Sequence, residues 1–193
     1  MTDSDRRRRP IRPAVVIRPL RQVRQIRQFT DEPPSDDQIA AIADVARWSG
    51  SSRNSQPWRF VVVRDRETLL KIHAAGMPQT RSLETARVAI AVVVPDDDDP
   101  ISHAYDEGRA AERMLIAASF LGLGAGIAWI TPQVRALVSE LLGVPGGRLV
   151  RTLVVLGHPT EEAQAPKAPP GKARLPRDEV VFEGRWRGGE PAA

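Results

Sequence analysis

Two long apolar runs most restrict the fold that this chain can adopt. Val88 to Val94 and Leu149 to Leu156 are almost continuously apolar and rich in β-branched residues. Such a composition is typical of a strand covered on both faces, because a strand with one wet face alternates apolar and polar residues. Helices are therefore expected on both sides of a central sheet. With further strands predicted at Arg59 to Val63 and around Ala125, the sequence indicates an α+β domain.

The segments between these strands carry helix signals. Ser35 to Gln38 has a capping-box pattern ahead of an apolar helical face. A short helix is expected at Glu67 to Ala75, and a long core helix from about His103 to Leu121. Near the N-terminus, arginines recur every third residue from Arg18 to Arg27 and alternate with apolar residues as far as Phe29. This repeat predicts an amphipathic first helix.

The composition excludes several kinds of site. The 193 residues include no cysteine and three scattered histidines, so we expect no metal site. No Ser/His/Asp set or carboxylate pair is visible. No apolar stretch approaches the length of a membrane span, and the charged N-terminus lacks the apolar core of a signal peptide. We therefore expect a cytoplasmic protein.

Positive charge is concentrated at the N-terminus. The net charge is +4, and arginines cluster before Phe29, whereas Asp96 to Asp99 form an acidic run. Residues 1–16 are predicted to be a disordered basic tail, 17–186 the folded domain and 187–193 a loose tail. A solvated tail is the simpler interpretation, and nonspecific contact with RNA or anionic lipid is the alternative. No specific nucleic acid and no membrane is predicted as a partner.

A polar stretch between Ser52 and Gln56 precedes the strand at Arg59. Pro57 biases Gln56 toward extended geometry. If the extended run reaches back to Ser52, its period of two places Ser52, Asn54 and Gln56 on one face. Their amide and hydroxyl groups could then contact the edge of a flat heterocycle. An Asn/Ser-rich turn followed by an edge strand is the alternative interpretation.

Gly122 to Gly126 contains a Gly-x-Gly-x-Gly pattern. These glycines follow a helix and precede a strand, which is the reverse of the order that a dinucleotide-binding fingerprint needs. A helix end and a close backbone crossing explain them better. By contrast, Met77 to Arg87 has little pattern and is interpreted as a loop that could be mobile.

Ser51 to Phe60 resembles the Pro-Ser-x-x-Asn-x-Gln-Pro-Trp-x-Phe signature of the FMN-dependent nitroreductase family, with Gly50 in place of the proline. Arg24 to Phe29 resembles the family's Arg-Ser-x-Arg-x-Phe. Here Gln25 replaces the serine, and Val23 stands where many members carry another arginine.

Two later segments extend this resemblance to roughly Arg21 to Glu179. Leu123 to Trp129 resembles the family's Leu-Gly-x-Gly-x-x-Trp, and Lys172 to Pro176 resembles its C-terminal Lys-x-Arg-x-Pro. The resemblance implies a central mixed, mostly antiparallel sheet surrounded by helices. It also implies an intertwined homodimer with two FMN sites at the subunit interface, in which 163–186 forms an extended C-terminal arm.

The resemblance further implies which residues bind FMN. Asn54 is expected to hydrogen-bond the flavin edge near N5, and Arg27 to contact the pyrimidine carbonyl side. The other implied contacts are with the phosphate (Arg24, Lys172, Arg174), with the phosphate or the pyrimidine side (Gln25), with ribityl or phosphate groups (Ser52, Gln56), and with the flavin ring (Trp129, Ile130, Thr131). No catalytic side chain is implied, because the chemistry occurs at flavin N5.

The implied activity is a ping-pong oxidoreduction. NADH or NADPH gives hydride to flavin N5, and an electron-poor small molecule such as a nitroaromatic or quinone then accepts the electrons. Another FMN-using reaction on the same fold is the alternative, such as flavin destruction, dehalogenation or dehydrogenation of a peptide-derived ring. A flavin-binding or nucleic-acid-associated protein with little turnover is the alternative from a different class.

Overall fold

The structure is a computed structural model that describes residues 12–166, 168–169 and 173–187. Within these residues the strands are β1 (Arg59–Val63), β2 (Val88–Pro95), β3 (Gly124–Trp129) and β4 (Arg148–Gly157). The helices are α1 (Pro13–Val16), α2 (Arg18–Gln22), α3 (Asp36–Arg47), α4 (Arg66–Ala75), α5 (Pro100–Phe120), α6 (Arg135–Leu141), α7 (Glu161–Gln164) and α8 (Arg177–Val180). Single 3-10 turns cover Ser52–Asn54, Arg81–Glu84 and Pro132–Val134. The chain divides into two compact units at Ala163 and Gln164.

The four strands form one sheet in the order β1-β2-β4-β3, and every neighbouring pair is antiparallel. Gln25 adds an isolated parallel bridge to Ala125 on β3. All seven residues from Val88 to Val94 are buried. The predicted α+β class and the covered central strands are therefore confirmed, and β1 and β3 are the outer strands.

A separate apolar core lies on each face of the sheet. On one face, Ile42 of α3 and Met114 of α5 belong to the same buried cluster as Ile90 of β2. On the other, Leu69 of α4 and Val138 of α6 are buried with strand residues that point the opposite way. Burying one such side chain stabilises the fold by about 1.5–3 kcal/mol, so the two cores together fix the layers around the sheet.

Local signals set several helix ends, among them the predicted start of α3. Ser35 and Gln38 form a complete capping box at the start of α3. Asp65 accepts a hydrogen bond from the Thr68 N–H at the start of α4, and this helix ends at Gly76. In the described part of the chain, no helix is long and apolar enough to cross a membrane.

The predicted first helix is wrong beyond Gln22. Val23 has extended geometry, and the Ile26 N–H donates to the Ala125 carbonyl of β3 at 2.7 Å. An outer strand leaves backbone groups without a strand partner on one side. Pairing with one of them, while Ile26 and Phe29 enter the core, outweighs the helical preference of the arginine repeat.

Two other segments bear on the sequence predictions. Residues 77–87 were interpreted as a loop that could be mobile, yet Thr80 and Leu83 are completely buried. In the second unit, α8 is followed by a contact between the Phe182 and Trp186 rings, whose centroids lie 4.7 Å apart. The predicted domain limits, including the tail and the arm, stay predictions.

Candidate functional site

A cleft of about 310 Å³ opens beside the outer strand β3. Its lining residues are Arg27, Pro78, Gln79, Arg81, Ile127 and Trp129. Ligand pockets usually have volumes of about 300 Å³ or more, so this cleft is at the lower end of that range. Three of its residues come from segments that the sequence predicted to lie against a cofactor.

Arg27 lines the cleft and belongs to the segment 24–29, which crosses β3. Gln25 reinforces the crossing, because its Oε1 accepts a hydrogen bond from the Ile127 N–H at 3.1 Å. The same oxygen lies 3.5 Å from the Arg27 guanidinium. The side-chain oxygen of Gln25 thus contacts both β3 and Arg27, and it holds Arg27 next to the strand.

Gly126 permits this crossing. A Cβ added to Gly126 would lie 2.3 Å from the Ile26 carbonyl oxygen, far inside van der Waals contact. At Gly124, an added Cβ would lie 2.9 Å from the Ile26 side chain. The predicted close backbone crossing is confirmed, and so is the helix end, since Gly122 has a φ of 74°.

The floor of the cleft is formed by the end of β3. Ile127 and Trp129 are two residues apart and so project from the same face of the strand. Trp129 is 48% exposed and offers a flat aromatic surface. Ile130, by contrast, is fully buried in the core, and Thr131 is half-buried. Any contact of Ile130 with a ligand in the cleft must therefore come from its backbone.

The lining also includes Pro78, Gln79 and Arg81, which the sequence analysis missed. The Thr80 hydroxyl donates to the His73 carbonyl of α4 at 2.8 Å, which fixes this segment next to the helix. Two arginines, Arg27 and Arg81, thus line the cleft. A single arginine in a stretch without periodicity gives no local signal, so only the tertiary structure reveals Arg81.

The polar residues near β1 form a turn, and the predicted extended run is wrong. Ser52–Asn54 is a 3-10 turn. Arg53, Asn54 and Gln56 have φ values of 51°, 56° and 49°, so Ser52, Asn54 and Gln56 do not share one face of an extended segment. The alternative interpretation, a turn followed by an edge strand, describes the structure. All three predicted residues are exposed.

The cleft and the turn lie at opposite edges of the sheet. The turn leads into β1, whereas the cleft adjoins β3, and β2 and β4 separate these strands. Three interstrand spacings amount to about 14 Å. The structure therefore brings Arg27 and Trp129 together, and it leaves the Asn54 turn outside the lining of the cleft.

The remaining predicted contacts concern phosphate. Arg24 is exposed on the crossing segment, two residues before Ile26. Arg174 belongs to the second unit, where its guanidinium donates to the Ala173 carbonyl at 2.7 Å. Lys172 lies outside the described residues. Among those that are described, no group of three or more His, Cys, Asp or Glu side chains could hold a metal ion.

A helix-covered antiparallel sheet with a basic, aromatic cleft at its edge defines the class of fold, and comparisons with known proteins identify it. The nitroreductase family model matches residues 20–92. A relative from Archaeoglobus fulgidus, whose name pairs NADH dehydrogenase with NAD(P)H nitroreductase, is 35% identical over 72% of this chain and 82% of the relative. The FMN reductase [NAD(P)H] of Bacillus subtilis is 28% identical over 86% of this chain and 72% of that protein.

A solved structure agrees with these relatives. The NADPH:FMN oxidoreductase from Vibrio harveyi, in complex with NAD⁺, superimposes with a TM-score of 0.74 at 28% identity, covering 89% of this chain and 77% of that one. The chain belongs to the nitroreductase family.

The side chains of the cleft fit FMN. Arg27 and Arg81 carry only hydrogen-bond donors, which suit the pyrimidine carbonyl oxygens and the phosphate of the cofactor. Trp129 provides an apolar surface for a planar ring. The described residues of the cleft thus offer hydrogen-bond donors and no carboxylate, which suits an anionic ligand with exposed oxygen atoms such as FMN.

Proposed function

We propose that this chain reduces electron-poor small molecules, such as nitroaromatics or quinones, with electrons from NADH or NADPH. As a member of the nitroreductase family, it is an NAD(P)H-dependent flavin oxidoreductase that uses FMN. The observation that carries the proposal is the cleft at the edge of the sheet, which Arg27, Arg81 and the exposed Trp129 line together.

When bound, FMN would supply the redox chemistry, the transfer of electrons from the nicotinamide to an acceptor that replaces it in a ping-pong sequence. The protein binds and orients. Arg27 and Arg81 would donate to the pyrimidine end of the flavin, where their positive charge would favour an electron-rich ring. Trp129 would pack against the flavin ring and exclude water from it.

Phosphate binding is shared in our proposal among Arg24, Lys172 and Arg174. Gln25 replaces the serine that the family uses, and its Oε1 already accepts the Ile127 N–H. Val23 supplies no charge. The two C-terminal cations therefore contribute a larger share of the phosphate affinity here than the family pattern alone implies.

We further propose a homodimer in which the turn of one chain completes the cleft of the other. Asn54 is exposed at the β1 edge and lies outside the cleft lining of its own chain. A two-fold arrangement can bring the β1 edge of one copy to the β3 edge of the next, in two equivalent sites. Light scattering after size exclusion tests this proposal. A stable monomer that retains stoichiometric FMN would refute it.

Anaerobic half-reactions test the activity. Purified protein should show the visible absorption bands of flavin, and NADH or NADPH should bleach them. A nitroaromatic or a quinone added afterwards should restore the bands at a rate independent of the nicotinamide used. Bleaching without reoxidation by either acceptor would instead favour another FMN-dependent reaction, and absence of bleaching would indicate a passive flavin-binding protein.

A further inference from the structure

A buried carboxylate lies beside the polar turn. Asp106, in the second turn of α5, is 2% exposed, and its two oxygens accept the Ser52 N–H at 3.2 and 3.0 Å. Arg109, one turn further on, lies 3.6 Å away with a half-exposed side chain. A buried charge is unfavourable unless hydrogen bonds and a counter-ion stabilise it. The contact between Asp106 and Ser52 is therefore a fixed feature of the fold.

The turn that this contact holds has an unusual backbone. Arg53, Asn54 and Gln56 lie in the left-handed region of backbone conformation, which residues other than glycine rarely adopt. Such conformations persist where surrounding contacts fix them. The hydrogen bonds from the Asn54 N–H to Ser51 O and from the Gln56 N–H to Ser51 Oγ lie within the turn. They shape the turn but do not set its place on the domain.

Two side chains of α5 contribute to that place. Asp106 binds Ser52, and the Arg109 guanidinium packs against Gly50, where an added Cβ would lie 2.2 Å from Nη2. The two contacted residues, Gly50 and Ser52, are the neighbours of Ser51 in sequence, and they come directly before the residues with positive φ. The helix thus holds the beginning of the turn, and the end continues into β1.

We propose that Asp106 is a positioning residue that fixes the turn so that the Asn54 amide meets the flavin. This inference rests on the proposed function, because it assumes that Asn54 contacts the cofactor. Asp106 itself points under the turn and touches no reacting atom. Its effect must therefore pass through Asn54, which gives it a signature that a purely structural residue lacks.

A double-mutant cycle detects this signature. FMN-loaded wild type, Asp106→Ala, Asn54→Ala and the double variant are reduced anaerobically by NAD(P)H in single-turnover experiments. One hydrogen bond to flavin corresponds to roughly a 2- to 12-fold change in rate, so each single variant should slow reduction by about that factor. In the double variant, losing Asp106 should add less than about a two-fold change, because the contact through which it acts is already absent.

Matched variants separate positioning from general damage. Asp106→Asn keeps one oxygen that can accept the Ser52 N–H and should restore most of the rate. Glu107→Gln is the control, since Glu107 is the next residue, is 4% exposed and bonds Arg151 rather than the turn. It should lower the melting temperature, and its effect on the rate, if any, should multiply with that of Asn54→Ala.

The outcomes are distinguishable. If Asp106→Ala slows reduction equally in the presence and absence of Asn54, the inference is overturned while the role of Asn54 stands. If Asn54→Ala alone leaves the rate unchanged, the proposed contact of Asn54 fails, and the inference fails with it. Should Asp106→Ala not fold, Ser52→Pro removes the same bond from the donor side, at the first residue of the 3-10 turn, and must show the same coupling, whereas Ser52→Ala, which keeps the N–H, must not.

Discussion

Replacing Gly126 with alanine should detach the segment 24–29 from β3. The added Cβ would lie 2.3 Å from the Ile26 carbonyl oxygen and 3.5 Å from a Val155 methyl group. Carbon and oxygen atoms that are not bonded normally approach to about 3.3 Å. The segment must therefore move outward by about 1 Å, because the obstacle is backbone and not the end of a flexible side chain.

This displacement breaks two hydrogen bonds. They are the bond from the Ile26 N–H to Ala125 O at 2.7 Å and the bond from the Ile127 N–H to Gln25 Oε1 at 3.1 Å. Each contributes about 0.5–1.5 kcal/mol, and partial exposure of the Ile26 side chain adds to the loss. We expect the free energy of unfolding to fall by about 2–4 kcal/mol, which corresponds to about 5–15 °C in melting temperature.

The assay combines apoprotein melting with FMN titration. Arg27 follows the displaced bond by one residue, so FMN affinity should fall by about 10- to 100-fold, the value of one charge-assisted hydrogen bond. Gly146→Ala is the matched control, because its added Cβ meets no atom within 4 Å. It should melt at or slightly above the wild-type temperature, with unchanged FMN affinity.

Two results would refute this reasoning. If Gly126→Ala melts with the wild type, the crossing of β3 is not as close as described. If it melts lower but binds FMN normally, the segment 24–29 does not hold the cofactor.

Three further variants address the cations and one helix cap. Lys172→Ala combined with Arg174→Ala should weaken FMN binding by about two to four powers of ten, since two charge-assisted bonds are lost; riboflavin, which lacks the phosphate, should bind both proteins equally. Arg81→Ala should weaken FMN and riboflavin alike by about 10- to 100-fold, because we place Arg81 at the ring. Asp65→Asn should destabilise the protein at neutral pH, and the deficit should disappear in acid. Bonds from the Thr68 hydroxyl and backbone hold the pKa of Asp65 below its usual value, so its stabilisation exists above the unfolded-state pKa and is lost as the pH falls through the folded-state pKa.

Each of these three predictions has an outcome that would contradict it. If the Lys172/Arg174 double variant keeps wild-type FMN affinity at moderate salt, the C-terminal segment is only a basic tail and does not bind the phosphate. Equal losses from Arg81→Ala and from Arg64→Ala, a change at a surface arginine paired with Asp36, would indicate a general charge effect. A deficit of Asp65→Asn that persists at low pH would mean that the cap does not depend on ionisation.

The sheet and its helices were predictable because their signals are local. Continuous β-branched runs identified β2 and β4, which are covered on both faces, and the Ser35 capping box fixed the start of α3. Each of these signals lies within a few residues of the element that it specifies. Burial of the apolar runs then leaves few ways to arrange the helices.

The first segment was mispredicted because its structure depends on distant residues. The arginine repeat satisfies a helical pattern as far as Phe29, but Ile26 binds Ala125 and Gly126 makes room for it. These partners are about a hundred residues away in sequence. The conformation of this segment is decided by a competition between helix formation and pairing with the edge strand β3. A pattern read from neighbouring residues includes only the helical preference.

The same limit applies to the site. Arg27 and Trp129 belong to motifs and were predicted, whereas Arg81 lies in a segment without periodicity and was not. The positive φ values at Arg53 and Gln56 also went unpredicted, because neither residue type favours the left-handed region. A buried carboxylate on another helix is part of what holds that turn.

A mixing experiment tests whether one site draws on two chains. Arg27→Ala damages the cleft and Asn54→Ala damages the turn, so each homodimer carries the same defect in both sites. In a heterodimer with the cross-chain arrangement, one site receives both defects and the other receives none. Equal, random mixing gives heterodimers in half of the molecules, so about one quarter of all sites should be intact.

Two affinity tags allow the heterodimer to be purified, and single-turnover reduction counts its active sites. We expect a fast phase at the wild-type rate for half of its flavin and a slow phase for the rest. If both clefts were completed within their own chain, every site would keep one defect and the fast phase would be absent. Because β1 and β3 lie at opposite edges of the sheet, the proposed homodimer brings Asn54 and Arg27 of different copies to the same flavin ring, and the fast phase measures that contact directly.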